Sequence, residues 1–147
     1  QGAYWCDVCR TFFLGEPDDR VKQAYEIVLE CFAMAQGMVC AQVMARDIYL
    51  AVLEFFAIRG MAGWMRHHTG HGIGHTSFEA PVEVIDSEDI LCEGDVVTVE
   101  IGIYDSSAFG IRVEDDFLVT REGAQNLWDY PKALCDVILR QTSMEME

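Results

Sequence analysis

The sequence predicts an α+β fold, with helices packed on one face of a curved antiparallel sheet, and three observations carry that expectation. Apolar residues recur at helical spacing in two successive stretches between residues 21 and 59, short extended runs separated by turns follow from Trp64 onward, and an aromatic and β-branched run precedes both helices. With 147 residues and 51% hydrophobic composition, the chain is long enough for one domain with a sizeable core and too short for two comfortable ones.

The opening run, Tyr4 to Phe13, reads as a strand that ends at Gly15. Glu16-Pro17-Asp18-Asp19 then starts a helix, with proline at its first turn and acidic groups near the positive end of the helix dipole. Val21, Tyr25, Val28, Leu29 and Phe32 carry it to about Gln36, with Gly37 as its stop. A second helix from about Ala41 to Arg59 is apolar on most sides, which predicts deep burial, and Gly60 and Gly63 end it. Its most apolar part, Ile48 to Ile58, is broken by Glu54 and is about half the roughly 20 residues of a bilayer span. Asp95 to Tyr104 after the Glu93-Gly94 turn, and Phe109 to Thr120 after Asp105-Ser106-Ser107, form a hairpin. Met144-Glu145-Met146-Glu147 reads as a frayed tail.

Composition narrows the function. The excess of 25 Asp+Glu over 10 Lys+Arg, a formal charge of -15, repels a phosphate backbone, so no nucleic-acid partner is expected. No membrane partner is expected either. Gln1 to Asp7 shows no basic segment followed by an apolar one, and the six cysteines are irregularly placed, which points to free thiols in the cytoplasm. Cys6 and Cys9 form a C-x-x-C, but on a strand they face opposite ways, against a zinc or redox pair.

All four histidines fall within His67-His68-Thr69-Gly70-His71-Gly72-Ile73-Gly74-His75. The glycines disfavour a helix. An extended reading puts His67, Thr69, His71, Ile73 and His75 on one side, with glycines at alternate positions that allow close approach. A histidine-rich surface loop without a ligand remains the alternative. Glu100 interrupts the apolar run Val97 to Ile103, where an unpaired charge is costly. Arg112, Glu114 and Asp116 alternate along the next strand, and Asp7 lies among apolar residues on the first. Carboxylates on three strands beside a histidine suit a divalent cation, although Arg112 pairing with its acidic neighbours as a plain sheet salt bridge is equally allowed.

These segments also carry a resemblance. Tyr4-Trp5-Cys6-Asp7-Val8-Cys9-Arg10-Thr11-Phe12-Phe13-Leu14-Gly15, Thr69-Gly70-His71-Gly72-Ile73-Gly74 with Glu79-Ala80-Pro81, Val97 to Tyr104 and Gly110 to Asp115 resemble, in order, the motifs of the creatinase, prolidase and methionine aminopeptidase family. The resemblance covers nearly the whole chain and is closest to the Xaa-Pro aminopeptidase and dipeptidase branches. It implies a pita-bread fold and a dinuclear centre in which Asp7, His71, Glu100 and Glu114 are metal ligands. It further implies that His67 contacts substrate and that Arg112 steadies a ligand glutamate. The implied cofactors are two divalent ions (manganese, cobalt, zinc or iron), and the implied reaction is hydrolysis of short peptides N-terminal to proline by metal-activated water.

The chain departs from the family pattern in three ways. The resemblance places a further ligand aspartate about ten residues upstream of Asp7, so residues 1–147 are expected to be a C-terminal catalytic domain lacking the first strand or strands and any N-terminal domain. An open sheet edge would then be available to another chain, a homodimer included. Phe78 stands where the family has a histidine before Glu79-Ala80-Pro81, and it can neither donate a hydrogen bond nor move a proton. Ile101 follows Glu100 where the family generally has proline. The alternatives to an Xaa-Pro peptidase are therefore an inactive pita-bread binding module and creatinase- or lyase-like chemistry on a small-molecule substrate.

Overall fold

The computed structural model describes residues 3–128 and 130–140. The tail Met144 to Glu147 lies outside them. A five-stranded antiparallel sheet in the order β3-β2-β4-β5-β6 is built from β2 (His71–Gly72), β3 (Glu79–Val82), β4 (Val96–Asp105), β5 (Phe109–Val119) and β6 (Ala124–Asn126). A small parallel pair joins β1 (Phe13–Leu14) to β7 (Ile138–Leu139), the latter following the short α3 (Leu134–Val137). Helices α1 (Asp19–Met38) and α2 (Ala45–Ala57) supply the second layer.

The hairpin has the predicted extent. Alternation along β4 sends Val97, Val99, Ile101 and Ile103 into the core, where Ile111, Val113 and Phe117 of β5 join them. Tyr25, Val28, Phe32 and Ala35 of α1 and Ile48, Val52 and Phe56 of α2 complete that core, each at most 2% exposed. Burying such side chains contributes about 1.5 to 3 kcal/mol apiece before entropy is counted. The opposite face of the hairpin is left for chemistry. Its register sets Thr98 against Asp116, Glu100 against Glu114 and Gly102 against Arg112.

Local expectations differ from the structure in four places. Tyr4 to Phe12 is extended but forms no ladder: it meets β5 through one bridge, Cys9 to Glu114. Side chains replace the missing backbone pairs, the Asp116 carboxylate accepting from the Asp7 N–H and the Thr11 hydroxyl joining Arg112. Helix α1 begins at Asp19, with the Asp18 side chain accepting from Val21 N, and it passes through Gly37 to end where Val39 turns extended. Helix α2 starts four residues late because Ala41 and Gln42 donate to Thr120 and Leu91 across the fold, with Gln42 at φ 73°. That helix is also only half-buried, Leu50 on it and Ile58 just past its end remaining exposed, because it packs beside α1 on a single stripe. All six cysteines are free, as expected.

Candidate metal centre

Asp7, His71 and Glu114 each direct a donor atom into one cluster whose atoms lie within 4.8 Å of one another. Three unrelated segments meet there: the extended N-terminal run, β2 and β5. His71 is fixed by its backbone N–H donating to Thr98 Oγ1 at 3.1 Å and by its Nδ1–H donating to the Gly72 carbonyl at 2.9 Å, which leaves Nε2 as the donor atom. Glu114 is 1% exposed, and neither carboxylate oxygen has a hydrogen-bond partner. Burial, reinforced by the charges of Glu100 and Asp7 and opposed by Arg112, pushes its carboxyl up to about 8. A buried carboxylate with two unsatisfied oxygens is costly alone and is well suited to a cation. The donor set therefore fits a divalent metal.

Glu100 belongs to an adjoining cluster with His67 and His68. Arg112 Nη1 donates to Glu100 Oε1 at 2.9 Å and Nη2 lies 3.8 Å from Glu114 Oε2, so one guanidinium spans both glutamates. His67 Nδ1 lies 2.6 Å from the His68 carbonyl and Nε2 lies 3.0 Å from the Tyr104 hydroxyl. Gly102 makes room for this ring, since a Cβ there would come within 2.6 Å of His67 Nε2. Asp116 supports Asp7 from below: it accepts from the Asp7 N–H at 3.2 Å and from Trp128 Nε1 at 2.8 Å, and burial raises its pKa despite the Trp128 bond.

The extended reading of the histidine segment is corrected. Only His71–Gly72 is in the ladder; the backbone bends at His67 and Thr69, and Gly70 lies so close to β4 that a Cβ would meet the Thr98 carbonyl at 2.2 Å. His67, His68 and His71 consequently face the clusters, whereas Thr69 turns away and donates to the buried Glu83 at 2.8 Å. His75 packs instead against Tyr4, with ring centroids 5.3 Å apart. Phe78 itself is half-exposed, its ring 4.5 Å from that of His71 and 5.2 Å from that of His68.

Sequence reasoning missed His68 and Glu83. Strict alternation hid His68 on the wrong face. Glu83, a lone charge between Val82 and Val84, carried a usable signal: it is 1% exposed, and burial, opposed by Thr69, raises its carboxyl to about 8. Clefts flank the clusters, one of about 490 Å³ beside Tyr49, His67, His68 and Ile85 and one of about 390 Å³ beside Trp5, His75, Asp116 and Trp128. Among the described residues no helix is long and apolar enough to cross a membrane.

Known proteins resemble this chain in sequence and in fold. The Xaa-Pro dipeptidase of Pyrococcus horikoshii is 34% identical over 124 residues, 84% of this chain and 35% of its own length. The solved Xaa-Pro dipeptidase from Bacillus anthracis superposes with a TM-score of 0.88 at 38% identity, over 92% of this chain and 38% of that one. The N-terminal domain of the FACT complex subunit SPT16 from Eremothecium gossypii shares the fold at 17% identity and a TM-score of 0.84, over 94% of this chain and 34% of that one. The chain spans about a third of the length of such relatives, and over that span its curved antiparallel sheet with outer helices is their pita-bread fold. The model of metallopeptidase family M24 matches residues 1–121, and with the two dipeptidase likenesses this establishes that the chain belongs to that family.

Proposed function

We propose that these residues form the metal-binding catalytic unit of a hydrolase resembling Xaa-Pro dipeptidases and aminopeptidases, which cleaves short peptides N-terminal to proline. The observation that carries this reading is the Glu114 carboxylate, buried with both oxygens unpartnered and facing donor atoms of Asp7 and His71. Asp7, His71, Glu100 and Glu114 would hold two divalent ions, of manganese, cobalt, zinc or iron. Such ions, when bound, lower the pKa of a water and polarise the scissile carbonyl. Arg112 holds Glu100 in place and limits repulsion between the two glutamates. We assign His67 the substrate contact that the resemblance implies, a role in which its Nε2 would exchange the Tyr104 hydroxyl, 3.0 Å away, for the substrate. Elemental analysis after exposure to these metals and dialysis tests the reading: close to two ions per chain is expected once the upstream aspartate that the resemblance implies is present, followed by turnover of Xaa-Pro peptides. Asp7→Ala and Glu114→Ala should lose metal and activity together, and little metal on the parent chain would refute the assignment.

Phe78 favours a second reading, a metal-binding fold that does not hydrolyse peptides. Its ring covers His71 where the resembling proteins carry a proton-donating histidine. Loss of one such group commonly costs about two to four orders of magnitude in rate. Phe78→His decides between the two: a large gain in peptidase activity indicates a hydrolase weakened at one position, and no gain indicates a repurposed fold.

A further inference from the structure

The His67–His68–Glu100 cluster contains one donor atom that nothing in the fold uses. Nδ1 of His68 is shielded from solvent and has no hydrogen-bond partner, yet it lies 3.3 Å from Glu100 Oε2. A proton on that nitrogen would normally be given to the carboxylate, and a buried polar atom left unpaired costs about 1 to 3 kcal/mol. His67 offers no equivalent. Its Nδ1 must donate to the His68 carbonyl, which can only accept, and its Nε2 is taken up by the Tyr104 hydroxyl.

We infer that His68 is a metal ligand, adding a second imidazole to the centre at the Glu100 side and biasing it toward nitrogen-preferring ions such as cobalt and zinc over manganese. The inference rests on the metal-centre reading above and goes beyond it, because His68 is absent from the ligand set that the resemblance implies. Two ligand atoms about 2.1 Å from one ion stand about 3.0 to 3.4 Å apart at octahedral to tetrahedral angles, and the His68–Glu100 spacing falls in that range. Arg112 occupies the other oxygen of Glu100, at 2.9 Å, so Oε2 is the oxygen that faces the imidazole. The ring is held from both sides: it stands 5.2 Å from His71 and 5.2 Å from Phe78, edge to face in each case. His68 and His71 thus present imidazoles to adjoining clusters, with Phe78 packed against both. Imidazole nitrogen favours zinc, cobalt, iron and nickel, whereas oxygen donors alone favour manganese and magnesium.

The experiment titrates the metal-free chain with cobalt, zinc and manganese by calorimetry and follows the cobalt d–d absorption. His68→Ala and His68→Gln should bind cobalt and zinc at least about tenfold more weakly, with manganese changed by less than about threefold, and the cobalt band should shift. Millimolar imidazole should restore the band in His68→Ala, a rescue that a merely structural role would not show. His75→Ala should behave as the parent does. Circular dichroism and thermal melts of the metal-free variants separate ligand loss from misfolding, and the imidazole rescue stands even where stability drops. Unchanged affinities and spectrum in both His68 variants would overturn this inference alone; absence of metal uptake by the parent would overturn it together with the metal-centre reading.

Discussion

Replacing Glu114 by glutamine should stabilise the metal-free protein while removing its response to metal. Below about pH 4.5 the carboxyl is protonated in both folded and unfolded chains, so ionisation contributes no difference. As pH rises the unfolded chain ionises first, whereas the folded group, raised to about 8, resists. Stability is therefore present at low pH and is lost progressively between about 4.5 and 8. The rise from 4.5 to about 8 sets a ceiling of about 5 kcal/mol on that loss. Relaxation and water entry reduce it, and about 2 to 3 kcal/mol is the expected gain for Glu114→Gln at pH 9, or roughly 5 to 10 °C in melting temperature. At pH 5 the two proteins should melt within about 1 kcal/mol of each other. Metal reverses the order: at pH 7.5, manganese at 100 times its dissociation constant stabilises the parent by about 2.7 kcal/mol and leaves the variant where it was. Thermal melts with chelator and with manganese provide the assay. Equal stability of the two metal-free proteins at pH 9, or equal stabilisation of both by manganese, would refute the reasoning.

Glu83→Gln should flatten the same loss of stability from about pH 4.5 to 8 without changing metal uptake, because Glu83 lies behind Thr69 and outside the donor set; a melt series across that range checks it. Gly72→Ala should cost about 2 to 4 kcal/mol and reduce metal uptake, since its Cβ would meet the Ala80 carbonyl oxygen at 2.2 Å and force β2 and β3 apart beside His71. Gly37→Ala in α1 meets nothing within 4 Å and should stabilise by about 0.5 to 1 kcal/mol in a denaturant titration. Arg10→Met should cost about 2 to 4 kcal/mol, measured the same way. It removes the 2.5 Å pair with the fully buried Asp115, leaving Lys132 at 2.7 Å as partial compensation. It also releases the carbonyls of Cys9, Glu114, Tyr130 and Pro131.

The face of the hairpin that carries chemistry was legible because strand alternation is local and strict. Once Val97 to Ile103 is taken as a strand buried on one side, Thr98, Glu100 and Gly102 must face the other, and Arg112, Glu114 and Asp116 follow by the same rule. Helix existence was legible too, since it rests on local periodicity, whereas the Asp18 cap that fixes the start of α1 after Pro17 was not read. Boundaries were not, where distant partners decided them: Thr120 and Leu91 hold Ala41 and Gln42 out of α2, and no residue near position 41 announces this. The meeting of Asp7 with Glu114 required the Cys9–Glu114 bridge, a contact across more than a hundred residues. His68 is the clearest division between the two levels. Its sequence position puts an imidazole in the segment; only the bends at His67 and Thr69, forced by the close approach of Gly70 to Thr98, turn that imidazole toward Glu100 rather than away from it. A periodic rule determines direction only while the backbone stays regular, and here the tertiary packing of one glycine interrupts it.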